Sequence, residues 1–386
     1  MNKPPPSPLE AARRLAPLIR ARADEIERTR ELPREIFEAM ADAGLFHLAV
    51  PRAIGGAEID FPTYVQVMEE LGKADASTAW ITNQVATFGT YAARMAPEVA
   101  RRIWIETPRS IVANTPSPNA QAVVVPGGYR VSGRQGFSTG CRHASWITAH
   151  GTVIENGQPR MKDGKPEARY FIMPIGEVEL VDTWHVRGMR GTGTHHFVAK
   201  EVFVPEERTV FLAAAPLTDS GPRYKIPIQL AFAGGDGAIA LGLARSCLDA
   251  FHALAADKTP RFQGLLREQP LVQLKVGQAE ATLRSGRAFL MEAVRELWDD
   301  ALSLPAITMG RRAALRAATT HAIHLAAQVV DSVYAMSGAT AVFESHPIQR
   351  YFQDIHVITQ HLHGRLSHYE LAGQYWLGLP LTDTQL

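Results

Sequence analysis

The 386-residue chain has only two cysteines, Cys141 and Cys247, far apart. Neither a disulfide framework nor a paired-cysteine metal site is open to it, and no metal is expected. It has no excess of either charge: 40 Lys and Arg stand against 39 Asp and Glu, a formal charge of +1. Such a balance carries no signature of nucleic-acid or anionic-membrane binding. No run of 18 apolar residues occurs, so no membrane span is expected. The opening Met-Asn-Lys-Pro-Pro-Pro-Ser-Pro has no apolar stretch after its lysine and does not read as a secretory signal. No Gly-x-Gly-x-x-Gly follows a strand-like run, which excludes a dinucleotide site of that type. A cytoplasmic protein is the expectation.

What the chain does have is apolar content, 46% hydrophobic, enough for two or three domains and a large core. Residues 1–8 read as a Pro-rich tail. Residues 9–49 alternate apolar and charged positions at helical spacing, broken at Leu32-Pro33, where Pro33 is placed to start a new helix. A helix is predicted from about Asp60 to Gly72, and a nearly uncharged one from Ser77 to about Met95. A helix apolar on all sides is a buried one, so its Asn83, Gln84 and Thr87 need partners. From about Ile111 to Thr209 the texture turns to short β-like runs punctuated by Gly and Pro, as in a small barrel or sandwich. Helices return at roughly 230–257, 267–300, 306–337 and 347–375. The order is α–β–α, with domains at 1–110, 111–210 and 211–386.

Four stretches carry the chemistry. Gly136-Phe-Ser-Thr-Gly-Cys-Arg-His-Ala-Ser-Trp146 sets small hydroxyls on a turn. Val186-Arg-Gly-Met-Arg-Gly-Thr-Gly-Thr-His-His-Phe197 leads into Glu201-Val-Phe-Val-Pro205; its glycines allow close approach of backbone, and it lacks the Gly-Lys-Ser/Thr ending of a phosphate loop. Leu71-Gly-Lys-Ala-Asp-Ala-Ser-Thr-Ala-Trp80 offers Asp75 or Ser77 as the cap of the buried helix. The last stretch, His346 to His363, reads as helix: Tyr351, Ile355, Ile358 and Leu362 form one apolar stripe, and Arg350 and Asp354 are an i, i+4 pair. His356, His361 and His363 point in different directions there, with His361 at the stripe's edge, where a half-buried imidazole is readily tuned.

These stretches and the α–β–α order resemble the acyl-CoA dehydrogenase fold superfamily over essentially the whole chain. Within it they are more similar to the two-component flavin-dependent monooxygenases than to the dehydrogenases. The resemblance implies an α+β fold with an N-terminal helical domain, a central β-barrel domain and a C-terminal four-helix bundle, assembled as a homotetramer. It implies a flavin ring beside Ser138 and Thr139, Thr139 being the better match for the ring N5 partner, with Phe137, Trp146, Arg190, Gly191, Thr192, Arg261 and Phe262 as further cofactor contacts. A dehydrogenase of this superfamily needs a carboxylate base; here Leu362 stands at that place, and Leu takes no proton. The monooxygenases place a histidine about where His361 falls.

The implied function is the oxygenase component of a two-component monooxygenase. Reduced FMN or FAD would come from a separate NAD(P)H flavin reductase, and O2 would react through a C4a-hydroperoxyflavin. The substrate would be a small aromatic or heteroaromatic compound, phenol- or indole-like. Trp80, Asn83, Gln84, Phe88 and His361 are the substrate-facing candidates; the histidine that some members carry in the early helix is absent. Arg261 is shifted from the usual pyrophosphate position, and Ser337-Gly-Ala-Thr-Ala-Val-Phe replaces a Gly-Gly-x-Gly turn, so FMN and FAD both stay open. The alternative is an acyl-CoA dehydrogenase with a displaced base.

Overall fold

Ser7 starts the first helix of the computed structural model, which describes residues 6–211 and 217–382. Its hydroxyl accepts the Glu10 N–H and the Glu10 carboxylate accepts the Ser7 N–H, a reciprocal cap. Residues 1–5 of the expected tail lie outside the described residues, and from Pro8 the chain is already helix. The N-terminal helices are α1 (Pro8–Ala21), α2 (Ala23–Thr29), α3 (Arg34–Asp42), α4 (Phe61–Ala74), α5 (Ala76–Phe88) and α6 (Pro97–Arg101). Pro33 precedes α3 as its position predicts. Asp60 and Asp75 cap α4 and α5, accepting the Thr63 and Thr78 N–H groups at 2.7 Å each. α5 is buried along nearly its whole length, as a charge-free sequence requires. It ends at Phe88, earlier than expected, and a 3-10 stretch covers Gly89–Arg94.

The central strands are β1 (Val112–Ala113), β2 (Ala120–Val125), β3 (Gly128–Ser138), β4 (Trp146–Glu155), β5 (Gln158–Pro159), β6 (Met161–Lys162), β7 (Lys165–Pro166), β8 (Ala168–Pro174), β9 (Glu179–Val181), β10 (His195–Pro205) and β11 (Thr209–Val210). Most form one mixed sheet in the order β11-β8-β4-β2-β3-β10-β9, with β1 and β5 also on β4. β1 and β2 run parallel to β4; the other pairs are antiparallel. The expected barrel is thus met as a mixed sheet whose pairing path has β11 and β9 as its edges.

The C-terminal helices are α7 (Ile228–Asp257), α8 (Pro270–Ser303), α9 (Met309–Ser337), α10 (Pro347–Thr359) and α11 (Ser367–Trp376). α7 is long and apolar enough to match the dimensions of a membrane span, but 61% of its most apolar window is buried inside the protein. The last predicted helix, 347–375, is split. α9 holds the break open: Thr320 donates to the His363 carbonyl at 2.9 Å and the His324 ring meets the Gly364 carbonyl at 2.8 Å. Gly364 folds so closely onto the end of α10 that a Cβ there would sit 2.5 Å from the Thr359 oxygen. The expected Arg350–Asp354 ion pair does not form; Arg350 pairs with Asp24 on α2 at 2.6 Å. One apolar core cluster runs without interruption through all three segments, from Ile26 through Phe171 to Leu241 and Ile358.

Candidate active site

The break after α10 turns two imidazoles inward onto one carboxylate. Asp236 is the charged residue in the first half of α7, is wholly buried, and receives His363 Nδ1 at 2.7 Å. His361 Nδ1 lies 3.1 Å from the same oxygen, Oδ2. The other oxygen accepts from Asn83 Nδ2 at 2.8 Å. Asn83 is in turn met by the Tyr64 hydroxyl at 2.8 Å, and Tyr64 also meets Thr87 at 2.7 Å. Two of the three polar interruptions of α5, Asn83 and Thr87, find their partners here.

Burial alone would raise the Asp236 carboxyl, but the two imidazoles hold it below its ordinary value, so it is ionised. His363 is pushed down to about 4 by burial and is neutral near pH 7. An ionised carboxylate accepts only, so it fixes a proton on His363 Nδ1; His361 Nδ1 lies within ion-pair distance of the same oxygen but outside hydrogen-bond geometry. His361 is 35% exposed while its Nδ1 is buried, so what faces outward is the rest of the ring, including Nε2. Trp80 meets that ring edge-on, centroids 4.8 Å apart. The arrangement is a base with a free Nε2, oriented from behind by a carboxylate and walled by an indole, the geometry of a general acid/base.

The turn after β3 supplies a second set of groups. Phe137 has φ +60 and is 56% exposed. Ser138 is buried and its hydroxyl has no partner. Thr139 pairs with the Thr194 hydroxyl at 3.0 Å. An exposed ring beside an unpartnered buried hydroxyl suits a flat heteroaromatic group with N–H and C=O edges, and so fits a flavin ring.

The acyl-CoA dehydrogenase N-terminal domain family matches residues 10–107, and the corresponding C-terminal domain family matches residues 235–365. Indole-3-acetate monooxygenase of Pseudomonas putida is 31% identical over 364 residues, 93% of this chain and 90% of that protein. The flavin-dependent monooxygenase oxygenase subunit HsaA of Mycobacterium tuberculosis is 30% identical over 391 residues, 98% of each chain. A crystal structure of the M. tuberculosis HsaA monooxygenase superposes with a TM-score of 0.88, at 29% identity, over 98% of this chain and 99% of that one. The FADH(2)-dependent resorcinol hydroxylase oxygenase component of a Rhizobium species is 25% identical over 367 residues, 90% of this chain and 88% of that protein. The chain belongs to the flavin-dependent monooxygenases.

This monooxygenase is an oxidoreductase that works with reduced flavin and O2. The dehydrogenase alternative falls: Leu362 cannot act as the missing base. The carboxylate nearest His361, Asp236, is sealed behind the imidazoles with both oxygens engaged.

The other predicted site residues divide. His361 and Trp80 come together, and Phe137, Ser138 and Thr139 share the second turn. Asn83 is committed to Asp236, so it orients the carboxylate rather than facing a substrate. The Gln84 backbone carbonyl takes Asn114 Nδ2 at 3.0 Å. Phe88 is a core residue packed on Tyr91 and Tyr170. Trp146 packs against that same core, with Arg208 over its ring.

The Gly-rich string makes close contacts with protein. Arg190 donates to the Glu27 carbonyl, and a Cβ on Gly191 would strike Ile26 on α2 at 2.1 Å. Thr192 donates to the Met189 carbonyl. Close backbone approach, expected toward a cofactor, is used here to seat this loop on α2, α5 and α10. Arg261 and Phe262 sit on the α7–α8 connection, where Phe262 is 90% exposed under the Arg261 guanidinium, and Arg261 lines a groove against α8 and α9. Sequence reasoning missed Asp236, Tyr64 and the role of His363. The signal for Asp236 was present: a single carboxylate in Ala233-Gly-Gly-Asp-Gly-Ala-Ile-Ala240, inside an otherwise apolar run.

Proposed function

We propose that this monooxygenase hydroxylates a small aromatic or heteroaromatic substrate, phenol- or indole-like, with His361 moving the substrate's proton. The observation that carries the reading is the Asp236–His361 contact beside Trp80. With Nδ1 protonated toward Asp236, the lone pair of Nε2 is available to take a proton from an aromatic O–H or ring N–H. The carboxylate then stabilises the imidazolium so formed. Trp80 offers an aromatic ring an edge to pack against and shields one side of the imidazole from water. Relatives named for indole-3-acetate and resorcinol act on compounds of this class.

Phe137, Ser138 and Thr139 would hold the flavin ring, which when bound supplies the electrons that activate O2. A separate NAD(P)H flavin reductase would deliver it reduced, as the term oxygenase component in the relatives' names implies. A homotetramer is supported by exposed apolar side chains on the C-terminal segment, Leu271 and Leu274 of α8 with Phe343. Both cysteines are free and buried, which suits a reducing, cytoplasmic compartment.

The test is His361→Ala, assayed with reduced flavin, O2 and a panel of phenols and indoles. Product formation should fall about 10²-fold or more, with the circular dichroism spectrum unchanged. Wild-type turnover in that variant removes His361 from the mechanism.

A further inference from the structure

We infer that Asp354 is a positioning residue, tying the turn that carries Phe137 and Thr139 to the helix that delivers His361. The inference rests on the reading of that turn as the flavin contact. Asp354 is buried on α10, which ends at Thr359, and His361 follows. Its Oδ1 accepts the N–H of Met189, in the loop ahead of β10, at 2.5 Å. Met189 is a non-glycine residue at φ +53, in the left-handed region, a conformation that persists only where its surroundings hold it.

Met189 is where the turn is anchored. Its carbonyl accepts the Trp184 indole N–H at 3.0 Å, and the Trp184 ring meets Phe137 edge-on at 6.3 Å. The same carbonyl accepts the Thr192 hydroxyl at 2.8 Å; Thr192 accepts Thr194 at 2.8 Å; and Thr194 pairs with Thr139 at 3.0 Å. Each hydroxyl has one proton. Those of Thr192 and Thr194 are already given, so Thr139 donates to Thr194. Only lone pairs remain on Thr139, which makes it an acceptor for a ring N–H. The Gly140 N–H, donated to the Thr192 carbonyl at 3.0 Å, closes the turn onto the same loop. Both aromatic and hydroxyl groups of the turn are therefore held through one residue, Met189, whose carbonyl takes their bonds and whose N–H Asp354 holds.

The surroundings make the tie sensitive to pH. Glu27 faces Asp354 from α2, Asp75 from the start of α5 and Arg350 from α10 itself. Arg350 is shared with Asp24, and Glu27 contacts Arg190 at 3.4 Å. Carboxyl groups outnumber the cations there. Burial pushes Asp354 up to about 8 and Glu27 up to about 7. Near neutral pH the pocket is held by its protons, and ionisation puts unbalanced charge into the core.

The experiment compares wild type, Asp354→Ala and Asp354→Asn. Amide hydrogen exchange of Met189 and Gly140 is read on the protein without flavin; oxidised and reduced FMN and FAD titrations and the product-to-peroxide ratio follow. Asp354→Ala should lose at least about 10-fold protection at both amides, bind reduced flavin more weakly and release more peroxide per product. Asp354→Asn keeps the acceptor and should restore protection and product ratio. Should Asp354→Ala fail to fold, the pH series decides. Protection of Gly140 should fall in wild type as pH rises through about 8 and stay level in Asp354→Asn. Wild-type protection in Asp354→Ala, a defect in Asp354→Asn as large as in Asp354→Ala, or a level wild-type series overturns the inference. Because the exchange readout needs no flavin, lost protection with normal flavin binding would instead count against the flavin reading of the turn.

Discussion

Trp80 and His361 stand perpendicular, ring centroids 4.8 Å apart, one from a helix near the N-terminus and the other from the break after α10. The contact closes one flank of the only imidazole of the Asp236 pair that reaches solvent. Trp80→Ala should raise KM for the aromatic substrate more than it lowers kcat, and should increase peroxide released without product. Steady-state kinetics with parallel peroxide detection checks this; unchanged KM removes Trp80 from the substrate wall.

Asp236→Asn removes the carboxylate that His363 Nδ1 hydrogen-bonds and that His361 Nδ1 faces at 3.1 Å. The amide carries no charge and must turn a donor toward one side, so the charge that faces His361 is lost. Product formation should fall about 10²-fold or more, with a changed pH profile and little change in melting. A profile identical to wild type would show that the carboxylate does not govern His361.

Gly235 lies under Asn83: a Cβ there would sit 2.0 Å from Oδ1 and 2.4 Å from Cγ. Gly235→Ala should therefore push Asn83 off Asp236 and cost about 1–3 kcal/mol in urea unfolding. It should also depress turnover, since the carboxylate loses its Asn83 donor. A variant of wild-type stability and activity would mean that α7 and α5 shift apart at no cost.

Stability should fall as pH rises from about 6.5 to about 8. Glu27 and Asp354, raised to about 7 and about 8 by burial, hold protons in the folded state that the unfolded chain has already released above ~4. Their contribution is fullest in acid and is lost through those values. His363 and His368, both lowered to about 4, act in the opposite sense: their contribution is present above ~6.5 and is lost as pH falls toward 4. Above about pH 7.5, where those two histidines are neutral folded and unfolded, they no longer oppose the decline that the two carboxyls set. Urea midpoints across that interval measure the decline, which Asp354→Asn should reduce.

Much of this was legible in the residues. The uncharged run after Asp75 gave a buried helix, and Gly-Met-Arg-Gly-Thr-Gly ahead of Val-Phe-Val-Pro gave the family. His361 stood out because a tunable imidazole lies next to Leu362, at the place where the dehydrogenases need a carboxylate. What stayed hidden depends on contacts far apart in sequence. Periodicity carried α10 straight through Gln360, because the groups that stop it, Thr320 and His324, lie on another helix. Asp236 needed the same fold-back to acquire its two imidazoles. The glycines of the 186–194 loop were read correctly as sites of close approach, but residue type alone does not say whether ligand or helix does the approaching.

The apolar cluster that passes unbroken from α2 through the sheet to α10 bears on any attempt to recombine this enzyme with its relatives. No cut between helical and β segments leaves either part with a finished interior. A chimera that swaps the substrate-facing helices must bring along the surfaces they rest on, or begin from a fractured hydrophobic seam.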